Sequence, residues 1–173
     1  AIVKALRRLR PASARRERRG IRRRHLRAAW KAKGGFRAQS KDAVNLWAAA
    51  TTAWQGIARA YEIAEGDGED SRRDRRNNPS GERRLPTRAD LSFGRKGGTR
   101  YACVMLRPCK RKNGEWGSKV PILFAEGDGT GSDTFAALWR MAHVDPCKPG
   151  AEHSTPLFRV GGKCLTVRRL RKL

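Results

Sequence analysis

The chain has 173 residues, enough for one domain with a hydrophobic core and an additional arm. Forty Lys and Arg residues against sixteen Asp and Glu residues give a formal net charge of +24, and such an excess repels itself unless a polyanion compensates it. The composition therefore favours a nucleic acid as the partner and argues against a membrane, since no apolar run approaches the roughly 18 residues needed to span a bilayer.

The basic residues are concentrated at the beginning of the chain. Residues 1–37 hold fifteen Lys and Arg residues and a single acid, Glu17. Neighbouring arginines point all around any helix, so one solvated face cannot hold them. We predict that this arm contacts phosphate groups; a basic organellar targeting peptide is the alternative. The cations expected to bind nucleic acid here are Arg15, Arg16, Arg18, Arg19, Arg22, Arg23, Arg24, Arg27, Lys31 and Lys33.

Two helices are predicted in the first third of the chain. One runs from about residue 21 to residue 33, and its narrow apolar edge must lean on another element. The second is capped by Ser40 and has Asp42 in its first turn. Its apolar stripe, predicted to be core, repeats every three or four residues as Val44, Trp47, Thr51, Trp54, Ala58 and Tyr61.

A charged segment and a β region follow. Residues 65–84 have no apolar anchor and are predicted to form a mobile surface insertion. Short apolar runs at 91–93, 101–106 and 120–124, joined by turns, predict three antiparallel strands. Cys103, within the middle run, is expected to be a small core residue.

The last third of the chain predicts further helices. A helix is expected from about residue 133 to residue 143, with Phe135, Leu138, Trp139 and Ala142 on its buried side. Residues 155–158 look like an apolar anchor, and Thr166 caps a final helix. The predicted fold class is therefore α+β, with helices packed on a three-stranded antiparallel meander, a basic arm at 1–37 and one domain at 38–173.

The cysteines give no sign of a metal site. Cys103, Cys109, Cys147 and Cys164 form no Cys-x-x-Cys pair, and no histidine lies at zinc-finger spacing. We expect no metal and no cofactor. Reduced thiols are typical of an intracellular protein, here in the nucleus or an organelle matrix.

Several segments resemble the tyrosine recombinases, which cut and rejoin DNA. Residues 56–62 resemble the Gly-hydrophobic-x-Arg-x-x-Glu part of the first conserved box, with Arg59 as its arginine. Residues 109–112, before a Gly-containing turn, are similar to the lysine hairpin. Residues 85–93 resemble the stretch that enters the first strand, and 157–167 resemble the approach to the second box. The resemblance covers about residues 21–173, and the insertion at 65–84 departs from the family's pattern.

The resemblance implies two catalytic residues. Arg59 would neutralise charge on the phosphate in the transition state, because a guanidinium offers paired donors in a rigid geometry. Lys110, or Lys112 as its substitute, would protonate the leaving 5′ oxygen. The alternatives are an ion pair of Arg59 with Glu62, and a solvated turn lysine at position 110.

The rest of the catalytic set is not found. His25, His143 and His153 are followed three residues on by Ala28, Pro146 and Pro156, so the His-x-x-Arg box is missing. Both tyrosines, Tyr61 and Tyr101, precede the place where the nucleophile is expected. We therefore expect DNA binding without strand cleavage by these residues alone, from a truncated, inactive recombinase-like domain or an excerpt of a longer active one.

The alternative function is that of an RNA-binding structural component of a ribosomal or organellar ribonucleoprotein. It is favoured by the arginine-dense arm and by the missing active site. On either hypothesis protein partners in a larger assembly are expected. The remaining residues predicted to bind nucleic acid are Arg111, Lys112, Arg168, Arg169 and Arg171.

Overall fold

The computed structural model describes residues 23–32, 40–66, 85–107, 118–127, 129 and 132–171. The predictions for most of the basic arm and of the charged insertion fall outside the described residues. The helices are α1 (Arg23–Ala32), α2 (Lys41–Gln55), α3 (Ala60–Ile63), a 3-10 helix (Arg88–Asp90), α4 (Thr134–Val144) and α5 (Val167–Leu170). The strands are β1 (Leu91–Lys96), β2 (Thr99–Leu106), β3 (Val120–Ala125), β4 (Arg159–Val160) and β5 (Lys163–Cys164).

The central helix α2 begins as predicted but ends earlier. The Ser40 hydroxyl accepts a hydrogen bond from the Ala43 backbone N–H at 3.1 Å, and Asp42 lies in the first turn. The prediction of one continuous helix to Tyr61 was wrong, because α2 ends at Gln55 with Gly56 as its C-cap. Residues 56–59 form a turn that redirects the chain into the separate short helix α3.

Strands β1, β2 and β3 form an antiparallel sheet in that order, which confirms the predicted meander and the α+β class. Ala102, Val104 and Leu106 of β2 are buried, so this set of alternate residues faces the core. Cys103 lies on the opposite face and is partly exposed. The expectation that Cys103 is a core residue was therefore wrong.

Helix α4 packs against α2 and the sheet. Asp133 caps it, since Oδ1 accepts from the Ala136 backbone N–H at 3.0 Å. Phe135 and Leu138 are buried as predicted, but Trp139 is 38% exposed and the prediction of a buried Trp139 was wrong. Its ring instead packs edge to face on Phe93 at the margin of the sheet, with ring centroids 5.0 Å apart.

The core lies between α2, α4 and the inner face of the sheet. Helix α1 leans on α2, as expected, through buried Leu26 and through the rings of Trp30 and Trp47, whose centroids are 4.9 Å apart. The predicted apolar anchor is confirmed, because Leu157 and Phe158 are buried to 1% exposure or less.

The chain on both sides of residues 67–84 pairs with one stretch near the C-terminus. On the entry side, the backbone N–H of Glu65 donates to Leu165 O at 2.8 Å and that of Val167 donates to Glu65 O at 2.9 Å. On the exit side, the Leu157 N–H donates to Pro86 O at 2.9 Å. Residues 157–167 therefore hold α3 and the entry to the sheet together.

Candidate nucleic-acid interface

Arg59 lies in the turn between α2 and α3, where it is the N-cap of α3. Its backbone N–H donates to Glu62 Oε2 at 2.8 Å, and its guanidinium Nη1 lies 4.0 Å from Glu62 Oε1. The Arg59 side chain is 50% exposed, whereas that of Glu62 is 10% exposed. The ion pair considered as the alternative for Arg59 is therefore present, and about half of the side chain still faces solvent.

This turn packs against the third strand. A Cβ atom on Gly56 would lie 3.3 Å from Phe124 Cζ and 3.6 Å from Ile122 Cδ1. Only a glycine allows this approach without a shift of the neighbouring side chains. The turn carrying Arg59 is thus held close to Ile122 and Phe124 of β3.

The segment that precedes β3 includes the predicted lysine hairpin. Lys110, Arg111 and Lys112 lie outside the described residues. The described end of this connection is anchored, because Lys119 Nζ forms an ion pair with Asp90 of the 3-10 helix. Burial raises the pKa of Asp90, but hydrogen bonds from Lys119 and Thr87 outweigh it, and the pKa is lower than the ordinary aspartate value. Sequence reasoning missed Lys119 and this anchor.

Helix α5 is the second basic element beside the Arg59 turn. The bridge between Glu65 and Thr166 places α3 next to α5. Arg168, Arg169 and Arg171, all predicted to bind nucleic acid, are exposed there. Residues 159–171 contain five Lys and Arg residues and no acid.

Helix α1 carries the described part of the basic arm. Arg23, Arg24, Arg27 and Lys31 are exposed, as a nucleic-acid contact requires. Arg23 Nε donates to Ser132 Oγ at 2.8 Å, which connects α1 to the start of α4. The other arm residues predicted to bind nucleic acid lie outside the described residues: Arg15, Arg16, Arg18, Arg19, Arg22 and Lys33.

An apolar groove of about 720 Å³ lies where α1, α2, the Arg59 turn and α5 meet. We call it the tryptophan groove. Its apolar lining includes Leu26, Trp47, Trp54, Ile57 and Leu170. His25 of α1 and Arg171, the C-cap of α5, also line it.

A buried charge cluster that sequence reasoning missed holds these elements in place. Asp145, at the end of α4, accepts hydrogen bonds at Oδ2 from Asn45 at 2.8 Å, Arg88 at 3.2 Å and Arg159 at 2.6 Å. The Arg88 and Asp145 side chains are 5% and 3% exposed. The cluster joins α2, the 3-10 helix, α4 and β4. No local sequence signal marks it, because its members are far apart along the chain.

The electrostatics of this cluster favour the charged forms. Burial raises the pKa of Asp145, but the hydrogen bonds from Arg159 and Asn45 outweigh it, so the pKa lies below its ordinary value. The hydrogen bond to Asp145 raises the pKa of Arg159. Burial lowers the pKa of Arg88, against the attraction of Asp145. Two guanidiniums on one carboxylate leave the cluster with a net positive charge.

Among the described residues, no group of three or more His, Cys, Asp or Glu side chains is arranged to hold a metal ion. In the same part of the chain, no helix has both the length and the apolar character that crossing a bilayer requires.

Comparisons of the chain with protein-family models, with curated proteins and with solved structures find no match. The resemblance to tyrosine recombinases therefore stays a prediction from the residues.

Proposed function

We propose that this chain is a nucleic-acid-binding protein that contacts phosphate through the Arg59 turn and helix α5. The observation that carries the proposal is the bridge between Glu65 and Thr166, which places α3, capped by the half-exposed Arg59, beside α5 with its exposed Arg168, Arg169 and Arg171. Closely placed guanidiniums are the groups that recognise phosphates best.

Duplex DNA is the first candidate ligand. The sequence of the Arg59 segment resembles the first box of the tyrosine recombinases, and the order of helix, meander, helix and capped helix is similar to the first half of their catalytic domain. On this hypothesis Arg59 receives a backbone phosphate. Lys110, or Lys112, comes from the connection that leads into β3 beside the Arg59 turn. Binding proceeds without cleavage by these residues alone.

RNA is the second candidate, and one sequence feature favours it. Arginines at positions 15, 16, 18, 19 and 22–24 are too dense for one face of a helix on a regular duplex. Such arms neutralise phosphates between RNA helices and become ordered on binding.

The test is a titration of the full chain with labelled duplex DNA and with structured RNA. Binding is monitored by fluorescence anisotropy at several salt concentrations. The logarithm of the affinity should fall with the logarithm of the salt concentration by about 0.9 for each phosphate neutralised. Tighter binding to RNA at every salt concentration would favour the second candidate. Binding that does not depend on salt would contradict both.

A pair of matched variants locates the interface. Arg168→Ala with Arg169→Ala should reduce the salt slope by about 2 units for duplex DNA. Arg95→Ala with Lys96→Ala removes the same charge from the exposed β1–β2 hairpin and should leave the slope unchanged. Equal effects of the two pairs of substitutions would show that nucleic-acid binding does not depend on the α5 face in particular.

A further inference from the structure

Ile57 has an unusual backbone conformation for its residue type. It is the only non-glycine residue with positive φ among the described residues, at 51°. It follows the C-cap of α2 in a turn closed by the Ala58 N–H, which donates to Ala53 O at 3.0 Å. Glycine is the usual residue at this position, because a β-branched side chain is crowded there.

Burial does not compensate for this crowding. The Ile57 side chain is 90% exposed, the largest exposure among the described large hydrophobic residues. The preceding Gly56 has φ of −78° and serves a different purpose, the close approach to β3. Strained residues cluster at ligand-binding and switch sites, so an exposed Ile57 in this conformation is a candidate for a contact with a binding partner.

Ile57 lies at the rim of the tryptophan groove, next to Trp54. The groove presents indole rings and small side chains together, which suits apolar side chains projecting from one face of a helix. No acidic side chain is among its described lining residues, and Arg171 places a cation there. An occupant should therefore be apolar on one face and acidic beside it.

Two long segments of the chain itself do not match such an occupant. Residues 1–22 contain nine Lys and Arg residues and one acid, so they lack the acidic side chains that would pair with Arg171. Residues 66–84 are partly acidic but have no apolar side chain except Pro79. A second copy brings another net charge of +24.

We infer that the tryptophan groove binds an acidic amphipathic helix of a partner protein, with Ile57 as a rim contact. The apolar face of that helix enters the groove beside Trp47 and Trp54, and its carboxylates lie near Arg171. This contact would share Arg171 with the proposed phosphate contacts, whereas Arg168 and Arg169 do not line the groove.

The test uses a labelled synthetic peptide of Leu, Ala and Glu, with Leu at positions i, i+3, i+4 and i+7. The control peptide has Ser in place of each Leu and the same charge. Binding to the full chain is followed by fluorescence anisotropy at a salt concentration at which the Ser peptide no longer binds. We expect the Leu peptide to bind under these conditions. No binding, or equal binding of the two peptides at every salt concentration, would overturn the inference.

Two variants test the role of Ile57. Ile57→Asn removes the apolar side chain and introduces a residue that tolerates the left-handed conformation, so the fold should be retained in circular dichroism. We expect about tenfold weaker binding of the Leu peptide. Leu123→Asn is the matched control, since Leu123 is 64% exposed on β3 and does not line the groove; its affinity should not change.

Sedimentation equilibrium distinguishes the partner helix from a second copy. Unmodified protein should be monomeric at the concentrations of the peptide titration. A dimer that Ile57→Asn dissociates would assign the groove to self-association and would overturn the inference. Equal peptide affinity of Ile57→Asn and the unmodified protein would also overturn it, and Ile57→Gly provides a second variant for this comparison.

Discussion

Arg159 and Asp145 form a two-point ion pair, in which Nε and Nη2 of the guanidinium each lie 2.6 Å from one carboxylate oxygen. The pair joins β4 to the end of α4, and Arg88 binds the same carboxylate from the 3-10 helix. Two parallel N–H donors make the ion pair strong and fix the orientation of its partners. The position of the C-terminal basic segment therefore depends on one buried acid.

Asp145→Asn should destabilise the fold strongly. Without the carboxylate, the guanidinium of Arg88 stays buried with no opposite charge, which typically costs about 3–5 kcal/mol. Urea denaturation followed by circular dichroism measures the change in the free energy of unfolding. Glu126→Gln is the control, because it breaks an exposed pair with Arg100 and should have a much smaller effect. Equal losses in the two variants would contradict a central role for Asp145.

The stability should depend on pH in the acid range. The pKa of Asp145 in the folded protein is below its ordinary value of 3.8, so the unfolded chain takes up a proton first as the pH falls. The stabilisation of the fold by the Asp145 carboxylate is complete above the pKa of Asp145 in the unfolded chain. It is lost as the pH falls through the lower pKa of Asp145 in the folded protein. Unfolding titrations across this range should show a shallower acid dependence for Asp145→Asn than for the unmodified protein. An identical dependence would exclude Asp145 as its source.

Gly56→Ala should lower the free energy of unfolding by about 1–3 kcal/mol, as overpacking does in close-packed sites. The new Cβ would lie 2.7 Å from Thr52 O and 3.3 Å from Phe124 Cζ. Thermal denaturation measures the loss. Gln55→Ala, one residue earlier and exposed, should cost nothing, since alanine is the better helix former. A neutral Gly56→Ala would show that the Arg59 turn can move away from β3.

Ile57→Gly should raise the free energy of unfolding by up to about 1 kcal/mol. A non-glycine residue in the left-handed region costs about 1–2 kcal/mol, and glycine loses part of this gain through the entropy of the unfolded chain. Ile57→Val keeps the β-branch and should show no gain. Urea denaturation of both variants gives the comparison. A less stable Ile57→Gly would mean that the isoleucine side chain supports the fold itself.

Arg59→Ala should weaken nucleic-acid binding without melting α3. The backbone N–H that Glu62 accepts remains after the substitution, and the half-exposed guanidinium contributes little to stability. The salt slope for duplex DNA should fall by about 0.9, whereas Arg59→Lys should keep the slope at reduced affinity. Fluorescence anisotropy measures both values. An unchanged slope for Arg59→Ala would remove Arg59 from the phosphate contacts.

Much of the fold could be predicted because its signals are local. Ser40, Asp133 and Thr166 each cap the helix that follows, and a capping side chain acts within three residues. The meander was predictable because short apolar runs with tight connections pair with their neighbours. The anchor at Leu157 and Phe158 was also visible as an apolar pair between polar residues.

The errors came from tertiary contacts that outweigh local patterns. Apolar spacing alone predicts that α2 continues to Tyr61. The chain instead turns at Gly56, which approaches β3 closely. Trp139 has the spacing of a core residue, yet it is 38% exposed where its ring packs edge to face with Phe93. In the candidate site, Arg59 was found by resemblance, and its placement beside α5 needed the long-range bridge between Glu65 and Thr166.

Hydrogen-bonded backbone on either side of residues 67–84 should let this connection tolerate insertions and proteolytic cleavage. Glu65 and Pro86 are each hydrogen-bonded to the stretch 157–167, so the two ends of the connection are positioned independently of what lies between them. Lengthening a connection with positioned ends costs only about 0.6 kcal/mol per doubling of its length. A protease cut there would leave two fragments, one carrying α2 and the other the sheet and α4, which the buried contacts between α2 and α4 should keep together as one particle.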